Sequence, residues 1–163
     1  MDFHKAIHTL TTSLSFKDWH EKHPKTFLAH GFLMLDEANK NTWQIGFYDE
    51  EHQRMTTFLV TGTKVEHTDE QEILQGSAPI QELKPSEVTL ESSKALEIAN
   101  NCIKENYKGE IILKNFFIIQ HNEGETIYNI TYFTQAFKTI NIKISAKNGA
   151  ILKHNIQALA EFT

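Results

Sequence analysis

Between Lys138 and Ser145 nearly every second side chain is isoleucine. Ile140, Ile142 and Ile144 point one way, and Thr139, Asn141 and Lys143 the other. A period of two fits a half-buried strand and no helix. Runs of similar character lie on either side, at residues 126–133 and 148–154, each set off by turn-forming residues. Residues 126–154 therefore read as a three-stranded meander. A sheet with one apolar face has to be covered, so the rest of the chain is expected to cover this meander or to repeat it.

The chain before it supplies both. Phe3, Ala6, Ile7, Leu10 and Leu14 make one apolar stripe at helical spacing, which predicts a helix over 2–22. Asp2 is its expected N-cap, Thr11-Thr12-Ser13 a weak middle, and Pro24 its stop. Strands are expected at 27–35, 43–48, 55–61 and 64–67, the last two turning at Gly62. Acidic residues and then Gly76, Pro79 and Pro85 mark 69–88 as a linker, with a short helical turn around Glu70–Leu74. Thr89 is the expected N-cap of a second helix. Its apolar face carries Ala95, Ile98, Ala99, Cys102 and Asn106, and Gly109 ends it. A long strand over 110–121 leads back to the meander.

The order of helix, long strand and three shorter strands thus occurs twice. An offset of 87 residues sets Asp2 on Thr89, Trp43 on Ile130, Ile45 on Tyr132, Gly62 on Gly149 and His67 on His154. The expected fold is α+β, with two repeats of one helix packed on an antiparallel meander. The expected units are 1–68, a linker at 69–88, and 89–163. With 163 residues and one cysteine, no internal disulfide can staple either half, so the halves are expected to share buried surface.

Charge and composition narrow the function classes. A net charge of −5 leaves no basic stripe for phosphates or for an anionic membrane surface. No apolar run is long enough to span a bilayer. The opening residues lack a charged leader followed by an apolar run, so the cytoplasm is the expected compartment.

The second half resembles the PepSY domain over about residues 86–155. The likeness rests on Val88-Thr-Leu-Glu91, Ala95-Leu-Glu-Ile-Ala99, the Ile127–Tyr132 strand, and Ile142–Leu152 with its Ser145-Ala-Lys-Asn-Gly149 turn. The family usually has Asp where this turn has Ser145. The resemblance implies a non-catalytic domain that binds or restrains a protein partner. The tandem layout also looks like that of small proteinaceous enzyme inhibitors.

No catalytic constellation stands out, and no cofactor or metal is expected. His4 and His8 have the spacing of a ligand pair, but they border the apolar stripe of the first helix. Cys102 falls on the apolar face of the second helix and reads as core. The more informative feature is surplus apolar surface. With Trp43, Ile45 and Phe47 facing the helix, Phe58, Val60, Phe32 and Met34 are expected on the other sheet face, and strand 111–119, with Ile112, Phe116 and Ile118 opposite Ile111, Leu113, Phe117 and Ile119, is expected to be covered on both sides. Two explanations stand side by side: the halves pack or join with one another, or the surface meets another protein or a second copy. The expected function is a non-enzymatic protein-binding or inhibitory module, with Tyr48, Phe58 and Tyr132 as exposed binding aromatics. The alternative is a small-ligand binder or enzyme with a cystatin-like or nuclear-transport-factor-like pocket, lined by His30 or His121. A metal buffer working through the nine histidines is a third reading.

Overall fold

The computed structural model of the protein describes residues 1–72 and 79–159. Among these are three α-helices and nine strands, and all the strands belong to one antiparallel sheet, so the α+β class is as expected.

The first helical segment is two helices, α1 (Phe3–Thr12) and α2 (Leu14–Lys22). Asp2 caps α1 by accepting from the Lys5 amide at 2.9 Å. Ser13 ends α1 and starts α2 in an extended conformation. Its hydroxyl donates to Leu10 O (2.6 Å) and accepts from the Phe16 amide (3.2 Å). The break resets the helical phase. Leu14, expected in the stripe, is 77% exposed, while Phe16 and Trp19 are buried in its stead.

The strands are β1 (Thr26–Met34), β2 (Thr42–Asp49), β3 (Arg54–Thr61), β4 (Lys64–His67) and β5 (Gln71–Glu72), then, after α3 (Ser92–Asn106), β6 (Ile112–Asn122), β7 (Glu125–Thr134), β8 (Lys138–Ser145) and β9 (Ile151–Ala158). Their order across the sheet is β4-β3-β2-β1-β6-β7-β8-β9, with β5 also on β3. Two meanders are therefore joined edge to edge, through β1 and β6, in a register running from His30↔Gln120 to Met34↔Phe116. Residues 71–72 are strand rather than the expected helical turn, and 73–74 lie outside the described residues.

All the buried helical side chains share one cluster on one face of the sheet. It runs from Phe3, Leu10, Phe16 and Trp19 through Trp43, Phe58 and Phe117 to Ala95, Ala99, Cys102, Tyr128 and Ile142. The 69–88 stretch, expected as a linker, adds Leu83 and Val88 to it, and the Leu83 amide donates to Leu28 O at 2.8 Å.

The N-cap expected at Thr89 is not formed. The Thr89 amide and hydroxyl both turn to the 146–147 backbone, and Glu91 opens α3 without a side-chain cap. At the turn after β8, Ser145 Oγ accepts from the Lys147 (3.2 Å) and Asn148 (3.4 Å) amides, and Gly149 takes a φ of 78°.

Candidate functional site: the uncovered face of the sheet

Tyr48, Phe58 and Tyr132 are not exposed aromatics. Their exposures are 1%, 0% and 2%. The reason for Phe58 is register. It lies directly across from Ile45, and Val60 across from Trp43, and cross-strand partners share a face. Phe58 and Val60 therefore join the helix-covered core, not the opposite side. Tyr132 is on that covered face too. Its hydroxyl donates to Asn100 Oδ1 at 2.7 Å, which ties α3 to the sheet, and burial pushes the phenol pKa up. Tyr128 makes a parallel tie to Leu90 O at 2.6 Å, and burial pushes its phenol up to about 12. Tyr48 is on the other face, in a small cluster with Ala29 and Met55, against Phe27 and Ile80. Its hydroxyl has no hydrogen-bond partner among the described residues.

The expectation for Phe32 and Met34 is met. Phe32 pairs with Gln44 on one side and Ile118 on the other, and Met34 pairs with Phe116. All four apolar residues sit on the face opposite the helices, half-buried. The Phe32 and Phe116 rings meet at a tilt, 5.3 Å between centres, Phe133 continues the row 6.0 Å from Phe116, and Lys114 Nζ stands 5.1 Å from the Phe133 ring centre. Asn129, Thr131 and Asn141 flank the row and bond to one another, Asn141 Nδ2 donating to Asn129 Oδ1 at 2.6 Å and to Thr131 Oγ1 at 3.2 Å. The result is an aromatic and aliphatic centre with a polar, hydrogen-bonded rim, on a face where no described helix buries side chains. Phe133 is legible in the sequence only through its alternation with Tyr132, which places it opposite the core.

The histidines are mostly committed to the fold. His4 Nε2 donates to Val88 O at 2.6 Å, tying α1 to the approach to α3, so it does not pair with the exposed His8. His20 stacks on Phe16 and His23 on Trp19. Among the described residues no three or more His, Cys, Asp or Glu side chains are grouped to hold a metal ion. Cys102 is buried, and burial pushes its thiol up, as expected for a core cysteine.

Two polar recesses bear on the ligand-binding alternative. An open cleft of about 530 Å³ lies where α2 meets β1. In it His23 Nε2 is 3.0 Å from Glu70, and Arg54 is 3.5 Å from the same carboxylate. At its rim His52 Nδ1 is 2.8 Å from Asp49. Burial would raise the Asp49 carboxyl, but bonds from the His52 ring and from the backbone hold it below its ordinary value, and Asp49 in turn raises His52. His30 and His121, expected as pocket-lining residues, both line a smaller recess of about 200 Å³ next to Ile80. His121 Nδ1 is 3.0 Å from Thr126 Oγ1, which donates to Glu87 at 3.0 Å.

The protein thus belongs structurally among α+β proteins with one extended antiparallel sheet covered by helices on a single face. No protein-family model matches the chain. No curated protein matches it. Among solved structures, that of a "putative lipoprotein" from Clostridium difficile 630 is similar, with a TM-score of 0.57 over 88% of this chain and 90% of that chain, at 16% identity. At that identity the likeness is one of fold.

Proposed function

We propose that this chain is a non-enzymatic protein-binding module, with a restraining or regulatory role toward its partner. The observation that carries this is the half-buried row of Phe32, Met34, Phe116, Ile118 and Phe133 on the sheet face opposite the described helices. An apolar centre with aromatic anchors and a polar rim is the anatomy of a protein-binding surface. The net charge of −5 argues against nucleic acid or an anionic membrane as the partner.

We also propose that the chain is a tandem of PepSY-like repeats. Three features support it: the mirrored strand order about β1 and β6, the core positions shared by Trp43 and Ile130 and by Ile45 and Tyr132, and the left-handed turns at Gly62 and Gly149. At the second turn the Ser145 hydroxyl accepts the backbone amides, a job the family's usual Asp could do equally. The proposed compartment is the cytoplasm. The described helices include none long and apolar enough to cross a membrane. The likeness to a lipoprotein's fold makes the cell envelope the competing location, and fractionation decides between them.

The test is an affinity pull-down from the source cells, read by mass spectrometry, with a Phe116→Asp, Phe133→Asp variant of unchanged circular dichroism as control. A near-stoichiometric protein captured by the wild type and lost in the variant supports the reading. Capture of nothing specific across salt conditions overturns it. The His23–Glu70–Arg54 cleft favours the ligand-binding alternative. A metabolite screen by thermal shift, with Glu70→Gln as control, tests that second reading.

A further inference from the structure

The two edges of the sheet differ in kind. The β4 edge has only four residues and carries the Lys64–Glu66 ion pair at 3.0 Å. Short, charged edges resist pairing with another chain. The β9 edge has eight residues, no proline, and Lys153 as its one Lys, Arg, Asp or Glu. It exposes Ile151 (43%), Leu152 (45%) and Ile156 (37%). A long apolar edge of this kind is a template for a further strand.

We infer that β9 is a self-association strand, through which two copies pair antiparallel about a two-fold axis at His154, joining their sheets into one. This does not depend on the function proposed above, which uses the sheet face rather than its edge.

The backbone makes the edge available. The Leu159 amide donates to Phe137 O at 2.9 Å, on the β8 side. Antiparallel ladders alternate, so Gln157, Asn155 and Lys153 also turn their amides toward β8, and Ile156 and His154 turn theirs outward. The other side of β8 agrees. Ala146, two residues past Ile144, donates to Thr126 O, so Ile140, Ile142 and Ile144 bond to β7 and leave Thr139, Asn141 and Lys143 for β9.

The side chains select the register. A two-fold axis between antiparallel strands stands perpendicular to the sheet and keeps each residue on its own face, so opposed residues must share a face. Centred on His154, the pairing sets Lys153 of each copy against Asn155 of the other and brings Ile156 up to Leu152, the extra residue of the bulge between Ile151 and Lys153. Of the three exposed aliphatic residues, Ile156 and the bulged Leu152 come together, Ile151 falls opposite Gln157, and no lysines meet. Centred on Lys153, it opposes two lysines. Centred on Asn155, it opposes Ile156 to His154. The occupant that best fits this strand is therefore a second copy of the strand itself.

Sedimentation equilibrium of the purified chain is expected to show a concentration-dependent mass reaching twice 18.8 kDa. Ile156→Pro removes an amide that turns away from β8, so it leaves the β8–β9 ladder intact. It should weaken the dimer by at least about tenfold. Ile156→Lys should do the same through charge, which covers the case of a misfolded proline variant. His154→Cys sets two thiols across the axis, with Cα atoms about 5.5 Å apart and within disulfide reach, so mild oxidation of folded protein should cross-link it. A chain that stays monomeric up to about 1 mM overturns the inference. So does a dimer that survives both Ile156 variants and does not cross-link through position 154.

Discussion

Phe58 and Phe116 separate what holds the fold from what the fold presents. Phe58 meets Phe16, Trp19, Phe47 and His67 within 6 Å and has no exposed surface. Phe58→Ala is therefore expected to lower stability by about 3–5 kcal/mol, seen as a lower urea midpoint at an unchanged slope. Phe116→Ala, on the uncovered face, should cost clearly less and instead weaken partner capture. His30 gives a second handle. Its ring lies against Gly46 so closely that a Cβ there would sit 2.3 Å from it, and burial lowers the imidazole pKa from its ordinary 6.5. The native ring thus binds a proton less readily than the unfolded one. Its contribution is fully present above about pH 6.5 and is lost as pH falls from there toward the lowered native value. His52, raised by Asp49, acts in the opposite sense but stands in solvent, so its effect is small. Thermal melts between about pH 5 and pH 8 should show the acid-side loss, and His30→Gln should flatten it.

Among the elements, Ser13 is the clearest case of a side chain fixing a boundary. It caps α2 and closes α1, so Ser13→Ala should cost about 1 kcal/mol and loosen the angle that seats Phe16 and Trp19, measurable by chemical denaturation. The same residue shows where the sequence was readable. Thr11-Thr12-Ser13 marked the weak point, but only the loss of phase after it shows that Leu14 leaves the core. Strand positions followed from alternation within each strand, and β1 to β4 and β6 to β8 lie close to where that pattern puts them. Faces did not follow, because alternation within one strand does not say which parity of its neighbour shares its face. That is why Phe58 and Val60 lie on the side opposite to the one expected, while Phe32 and Met34 lie where expected, and why the two parities of strand 111–119 could be told apart but not given a face. Thr89 failed as a cap for a long-range reason, since its partners at 146–147 are far away in sequence. The extent of β9 past His154 had no local signal either, because its residues are set by pairing with β8.

At the scale of the whole molecule, the question is whether the two meanders are one cooperative unit. Their seam is not a thin contact. On the helix side an aromatic chain crosses it, from Phe3 to Trp43 (5.6 Å), Trp43 to Phe117 (5.6 Å) and Phe117 to Tyr128 (5.5 Å). On the other side the Phe32 and Phe116 rings meet across it. Splitting the halves would bare both sides of β1 and β6 at once and free a ladder of backbone groups, a cost that neither half can recover alone. Unfolding is therefore expected to be a single transition. The sequence supplies a clean probe, because both tryptophans, Trp19 and Trp43, lie in the first meander and its helices. Tryptophan fluorescence reports that half and, through the contact of Trp43 with Phe117, its seam, whereas far-ultraviolet circular dichroism reports the whole sheet. The two urea curves should coincide. Ile142→Ala, a change in the second half away from the seam, should move both midpoints together by an amount equivalent to about 2–5 kcal/mol. If fluorescence instead kept its wild-type midpoint while the dichroism curve moved or split, the halves would be separate domains that share only a sheet edge. The seam would then be a docked contact rather than part of one core.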